Sequence, residues 1–303
     1  MSAQVSLTLA LITPARNEGA NLPRLIEAMV RQTFRPVVWL IVNDGSSDDT
    51  EAVVGPHLRD HGWIKLLSLP RTRDRSFAAK ATCFMEAYRQ LPPDVAIIGN
   101  LDADVSFDSD YLEFLMHKFA EDPKLGVAGT PFTEPGYDST KDSFEGETHV
   151  AGGCQLFRRE CFEQIGGYKP SPIGVDWIAV TTARYRGWRT RSFREKSFLH
   201  HRPLGTAGRG RLRAAFFYGE KDHILGWHPL YELARVAFQT ARDPIAGSCI
   251  AAGYLSASVR RLPRAVSPEV AAFHRAEQLS KLGAVGRRIL SMRRLDPFAS
   301  QGN

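Results

Sequence analysis

Cysteine is scarce. The 303 residues contain four, Cys83, Cys154, Cys161 and Cys249, with no Cys-X-X-Cys pair. That pattern excludes a disulfide framework and a structural zinc site, and points to a reducing compartment. A bilayer-spanning apolar run is also missing. The 16 uncharged residues between Asp243 and Arg260 would cover about 24 Å as a helix, against a hydrocarbon core of about 30 Å. Gly, Ser and Ala dilute the segment further, so it reads either as a buried core helix or as an interfacial one flanked by Arg260, Arg261 and Arg264. No basic stretch precedes the apolar segment Val5–Thr13, which runs straight into Pro14 and reads as a first strand rather than a signal peptide. The compartment expected is the cytoplasm, with a peripheral position on the inner membrane face as the variant. Internal repeats and low-complexity tracts are absent.

What the chain does have is a lopsided charge. Residues 1–183 hold 17 Lys/Arg against 25 Asp/Glu, whereas residues 184–303 hold 22 against 8, so the overall +6 conceals a basic second part. Such a region meets something anionic, such as phospholipid or a phosphorylated substrate, or partly neutralises the acidic part within one fold. Nucleic acid is set aside, because no recognition motif accompanies the charge.

The first two hundred residues alternate strand and helix. Strands are expected at Val5–Thr13, Val37–Val42, Ile64–Leu69 and Val95–Leu101. Helices are expected between them: one capped by Asn21 with Pro23 in its first turn, then Asp48 to His57, Phe77 to Tyr88 and Asp110 to Ala120. This rhythm predicts a mostly parallel central sheet covered by helices. The polar stretch Thr130–Glu147 reads as a long loop. Ala151–Phe157, a short helix near Arg159–Ile165 and a helix starting near Asp176 follow it. The last hundred residues read as mainly helical. The division expected is a first domain over 1–204, split near 104 into two parts, and a basic helical extension over 205–303.

The chemistry collects at strand ends. Asp102-Ala103-Asp104 closes the apolar run Val95–Leu101 and brings two carboxylates to the carboxyl edge of the sheet, where open α/β folds gather ligands. Paired carboxylates there suit a hard divalent cation. Ile12 to Gly19 ends the first strand with Pro14-Ala15-Arg16-Asn17-Glu18, and Val42 to Thr50 ends the second with Asn43-Asp44-Gly45-Ser46-Ser47-Asp48-Asp49-Thr50. Each is a turn of polar groups and backbone donors, and Asp44 fits either a nucleoside contact or a turn cap.

Together with Gly152-Gly153-Cys154-Gln155, Ile165-Gly166-Gly167-Tyr168, Asp176 and Gly187-Trp188, these motifs make the chain resemble the inverting family 2 glycosyltransferases of GT-A fold, over about residues 5–205. The resemblance implies an α/β fold, with 1–204 as the catalytic domain, about 1–104 its nucleotide-binding half and 105–204 its acceptor half, and a nucleotide pocket lined by Pro14, Ala15, Arg16, Glu18 and Asp44. Asp102 and Ala103 would lie near the ribose, and Asp104 would ligate Mn²⁺ or Mg²⁺. A further metal ligand is expected from His201, with His200 as the alternative. Arg75 and Lys80 lie where relatives contact the nucleotide. Arg71 and Arg73 share that basic stretch.

A departing nucleotide diphosphate needs its developing charge stabilised, and an attacking hydroxyl needs a base on the opposite face, which Asp176 would supply. The family usually carries two adjacent acids here; this chain has Val175-Asp176. The function expected is therefore transfer of a sugar from a nucleotide sugar, UDP-sugar favoured, to a hydroxyl of a glycan or lipid-linked acceptor. The alternative is a non-catalytic nucleotide-sugar-binding scaffold in a membrane-associated assembly. A sugar-phosphate nucleotidyltransferase would need a Gly-rich phosphate loop after the first strand, which Pro14-Ala15-Arg16-Asn17 does not provide. Trp177 and Trp188 read as core residues before an acceptor platform.

Overall fold

The computed structural model describes residues 7–70, 76–142, 146–202 and 210–293. It divides into two compact units, Met1–Leu204 and Gly205–Asn303.

In the first unit the elements run β1 (Leu9–Ala15), α1 (Leu22–Val30), β2 (Val38–Asp44), α2 (Thr50–Asp60), β3 (Ile64–Leu69), α3 (Phe77–Tyr88), β4 (Ile97–Leu101) and β5 (Val105–Ser106). They continue with α4 (Tyr111–Glu121), β6 (Leu125–Gly129), β7 (Phe132–Glu134), β8 (Tyr137–Asp138), α5 (Ser139–Asp142), β9 (Cys154–Arg158), α6 (Arg159–Gln164), α7 (Val175–Tyr185), β10 (Arg189–Ser192) and β11 (Phe198–His200). A seven-stranded sheet has the order β10-β6-β9-β4-β1-β2-β3. Its pairs are parallel except those of β9, which runs antiparallel to β4 and β6. A second, four-stranded sheet has the order β5-β11-β7-β8.

The strand sequences explain the layering. Along β1, Leu9 and Leu11 enter a core with Trp39, Leu25 and Leu112 on one face, while Ala10 and Ile12 enter a second core with Val42, Phe84 and Phe157 on the other. Strands covered on both faces read as continuous apolar runs rather than alternating ones. Burying each such Leu or Ile contributes about 1.5–3 kcal/mol. Gly99 in β4 lets β1 come close: a Cβ there would stand 2.4 Å from Leu11 Cδ2.

Several elements differ from the expectation. Over its described residues Thr130–Glu147 is not one loop but includes β7, β8 and α5. The half-buried β7 finds its partner in β11, far along the chain, where Phe198 pairs with Phe132 and Leu199 with Thr133. β6, β10 and β11 are also strands that the pattern does not announce, because three to five residues carry too little periodicity to separate strand from loop.

The second unit holds α8 (Arg211–Ile224), α9 (Pro229–Arg242), α10 (Pro244–Val259) and α11 (Pro268–Arg293). Three of these begin with proline, which needs no N–H partner at the first helical position. Asp243 caps α10 by accepting from Ala246 N. The segment that read as core or interfacial is α10; it buries Gly247, Ile250, Gly253 and Ala257 and exposes Ile245, Leu255 and Val259. Among the described residues no helix is long and apolar enough to cross a membrane.

Candidate active site

The loops after β1 and β2 are stitched to each other, which explains their polar sequences. Asn17 takes a left-handed backbone (φ 56°), a conformation asparagine tolerates better than most side chains. Its N–H donates to Ser46 Oγ (3.0 Å), and its Oδ1 accepts from Ser47 N (2.8 Å). Glu18 N donates to Thr50 Oγ1 at 2.9 Å and Gly19 N to Asp48 Oδ2 at 3.0 Å. A side chain at Gly19 would collide with Asp49 Oδ1, 1.9 Å from an added Cβ. Asp48 and Thr50, residue types so often mere turn formers, hold the Glu18–Gly19 turn in place.

Behind these loops Asp44 is buried, with Arg16 Nη1 3.8 Å from its Oδ2. Pro14 and Ala15 are the last residues of β1, in register with Val42 and Asn43 of β2. The five positions expected to line a nucleotide pocket therefore come from two adjoining strand ends.

The carboxylate pair follows β4. Asn100 Nδ2 donates to Asp102 Oδ1 (3.0 Å) and to Gly152 O (2.6 Å), while Lys80 Nζ forms an ion pair with Asp102 Oδ1. Ala103 is buried between the two acids. Asp104, 8% exposed, has His200 Nε2 3.4 Å from Oδ1 and Arg202 Nε 3.3 Å from Oδ2. Arg202 reaches across to Glu18 through Nη2. Burial works to raise the Asp104 pKa, but His200, Arg202 and Lys80 outweigh it and hold the carboxyl below its ordinary value. His200 moves the opposite way: burial disfavours its charge, yet Asp104, Asp102 and Glu134 raise its pKa. Lys80 is likewise raised, by Asp102, Asp176 and Asp104 against the cost of burial.

Of the two histidines, His200 is the one the fold brings to the carboxylates. One ligand atom each from Asp102, Asp104 and His200 lies within 4.8 Å of the others. Two carboxylates and an imidazole form a donor set that suits Mn²⁺ or Mg²⁺. His201 turns instead to Ser106 Oγ, 2.8 Å from its Nε2, and only its backbone N–H reaches Asp104, donating to the carbonyl O at 2.8 Å. The reason is strand alternation: neighbours on β11 and its extension point to opposite faces.

Asp176 sits in the first turn of α7, where the helix dipole favours an anion. Its carboxylate packs on Gly152, so that an added Cβ there would lie 2.7 Å from Asp176 Oδ2. Since Gly152 O is held by the same Asn100 that holds Asp102, the acid on α7 and the acids after β4 share one site. Val175 begins α7 beside it. Trp177 is buried, and Trp188 donates from Nε1 to Gln164 Oε1 at 2.8 Å. Arg71, Arg73 and Arg75 lie outside the described residues. Sequence reasoning assigned no role to Asn100, Glu134 or Arg202. Glu134 hid in a stretch read as loop, and Arg202 stood in plain view beside the histidines.

A mostly parallel sheet with polar loops at two strand ends and a paired-acid cluster at a third is the architecture of the GT-A type. Known proteins agree. Residues 10–143 match the family model "Glycosyl transferase family 2". The 4,4'-diaponeurosporenoate glycosyltransferase of Staphylococcus aureus is 25% identical over 182 residues, covering 53% of this chain and 46% of the relative. Chondroitin synthase of Pasteurella multocida is 25% identical over 122 residues, 40% of this chain and 12% of that protein. The chain thus spans half or less of the length of these relatives.

Among solved structures, the mannosyltransferase PcManGT of Pyrobaculum calidifontis, in complex with GDP-Man and Mn²⁺, superposes with a TM-score of 0.59 at 20% identity, over 91% of this chain and 79% of that one. S. aureus TarS 1-349 in complex with UDP-GlcNAc gives 0.56 at 14% identity, over 72% and 67%. At these identities the likeness is one of fold.

Proposed function

We propose that the protein is a metal-dependent, inverting glycosyltransferase that moves a sugar from a nucleotide sugar, UDP-sugar first, to a hydroxyl of a glycan or lipid-linked acceptor at a membrane face. The observation that carries this reading is the shared site of Asp102, Asp104 and His200 with Asp176, tied together through Asn100 and Gly152. Pro14, Ala15, Arg16, Glu18 and Asp44 would receive the nucleoside, Asp102 and Ala103 the ribose side, and Lys80 the phosphates. Arg75 keeps its place in this scheme from sequence alone. Asp104 and His200 would hold the divalent cation, with Asp102 beside them. When bound, that cation neutralises charge on the diphosphate as it leaves.

Asp176 takes the proton from the acceptor hydroxyl as its oxygen bonds to the anomeric carbon. The bond from that carbon to the diphosphate oxygen breaks on the opposite face, which inverts the configuration. Lys80 stays paired with Asp102 until phosphate oxygens compete for its ammonium group. Donor affinity and chemistry are thereby assigned to different residues.

A thermal-shift panel of UDP, GDP, dTDP and their sugars, with and without Mn²⁺ or Mg²⁺, tests the donor half, since a ligand of the native state raises its apparent stability. A metal-dependent rise for one base is expected, and no rise with any of them refutes the reading. Asp176→Asn should bind the same donor and lose about 10²–10⁴-fold in transfer rate. Normal transfer by that variant removes Asp176 as base.

A further inference from the structure

Helix α9 is amphipathic in reverse. Leu230, Leu233, Ala237, Phe238 and Ala241 fall at helical spacing on one face, and all five are exposed, Leu233 at 63%, Leu230 at 58% and Phe238 at 43%. The inward residues are Tyr231 and Glu232, both buried, with Arg235 paired to the buried Asp222. A helix of a water-soluble unit ordinarily does the opposite, and an exposed apolar stripe marks an interaction surface.

Charge decides what covers it. Among the described residues of this unit Glu232 is one of two buried acids, and it is the single acid of α9, so the exposed stripe carries none. At its end the Arg242 guanidinium lies 5.1 Å from the centre of the Phe238 ring. The next helix, α10, has no charged residue, exposes Ile245 (63%), Leu255 (62%) and Val259 (81%), and is followed by the exposed Arg260 and Arg261. Residues 205–303 carry 15 Lys/Arg against 7 Asp/Glu. A second copy docked stripe to stripe would set these cations against their own kind, with no acid on the stripe to pair them. An anionic bilayer offers acyl chains to the leucines and phosphates to the arginines.

We infer that the Leu230–Leu233–Phe238 face of α9, with Arg242, is the surface by which the protein docks on an anionic lipid membrane. This gives the membrane-side acceptor reading a physical location, yet it is measured without any donor or acceptor, so the two fail separately. The full chain is sedimented with vesicles of phosphatidylcholine alone and of equimolar phosphatidylcholine and phosphatidylglycerol. Binding is expected to the anionic vesicles and to weaken with salt. The pair Leu233→Glu and Phe238→Glu should lower partition about tenfold or more, because it replaces apolar insertion by charge repulsion. The milder pair Leu230→Ser and Leu233→Ser guards against a folding defect, with an unchanged melting temperature as the check. Failure to bind either vesicle, equal binding to the uncharged ones, or undiminished binding by both variant pairs would overturn the inference. So would a concentration-dependent dimer that the same substitutions abolish, since that would make a second copy the occupant.

Discussion

Glu134 Oε1 stands 3.2 Å from Nδ1 of His200, while Nε2 of the same ring faces Asp104 Oδ1 at 3.4 Å. The imidazole is thus held between two buried carboxylates, one on β7 and one after β4. The Glu134 contact is one of charge rather than an aligned hydrogen bond. It still favours the ring orientation that presents Nε2 to the acid pair. Loss of an outer carboxylate that hydrogen-bonds a histidine ligand typically costs 10–100-fold in metal affinity, and a contact of charge alone belongs at the low end, about 10-fold. Glu134→Ala should therefore weaken Mn²⁺ binding by about that factor, read by the paramagnetic resonance of free Mn²⁺, with Glu134→Gln falling between. Equal affinity in all three proteins would show that β11 alone sets the ring.

Arg202 bridges Glu18 and Asp104, so a fixed cation already occupies part of the charge environment that a metal would use. Its side chain is 37% exposed, and solvent screening keeps the competition modest. Arg202→Ala should tighten Mn²⁺ binding about two- to fivefold in the absence of nucleotide. Calorimetric titration of Mn²⁺ reads this directly, and weaker binding by the variant would mean that Arg202 organises Asp104 rather than competing for it.

The second unit contains its own titrating group. Burial, and then the charge of Asp222, push the Glu232 carboxyl up to about 8, against the opposing pull of Arg235. A raised folded-state value means that the protonated form favours folding. The stabilisation is full below the ordinary value of 4.5, declines as pH rises from there, and is gone above about 8. The melting temperature should fall between pH 6 and pH 9, and Glu232→Gln, which keeps the neutral shape, should flatten that slope. An identical slope in wild type and variant would assign the pH response to other groups.

Helices α8 and α10 touch through glycine. A Cβ at Gly253 would lie 2.0 Å from Phe216 O, and one at Gly219 would lie 1.9 Å from Ile250 O. Backbone cannot yield as a flexible side chain does, so Gly253→Ala should cost about 1–3 kcal/mol, read as a lower urea midpoint. A midpoint at or above that of the wild type would show that the two helices separate freely.

Much of this molecule is legible in one dimension. The β-α rhythm, the order of the motifs and the acids at strand ends follow from local spacing and turn chemistry, and β2, β3, α3 and α4 lie close to where periodicity puts them, while β1 starts at Leu9 rather than Val5. Proline and capping residues mark the starts of α9, α10 and α11. The composition alone argues for a basic, helical second part. These are properties of neighbours in sequence, and local sterics and hydrogen bonding determine them.

Other features exist only in the folded chain. Which histidine meets Asp104 depends on the pleat of β11, and that strand forms because Phe132–Glu134, from a stretch with no strand pattern, pairs with it. Asp176 joins Asp102 by packing on Gly152, whose carbonyl accepts from the amide of Asn100, a residue 52 positions earlier in the chain. The inward turn of the polar face of α9 rests on Asp222 pairing with Arg235, which no helical wheel contains. Sequence determines which groups are available and on which element; tertiary packing decides which meet, because burial and pairing energies are shared between segments that do not adjoin along the chain.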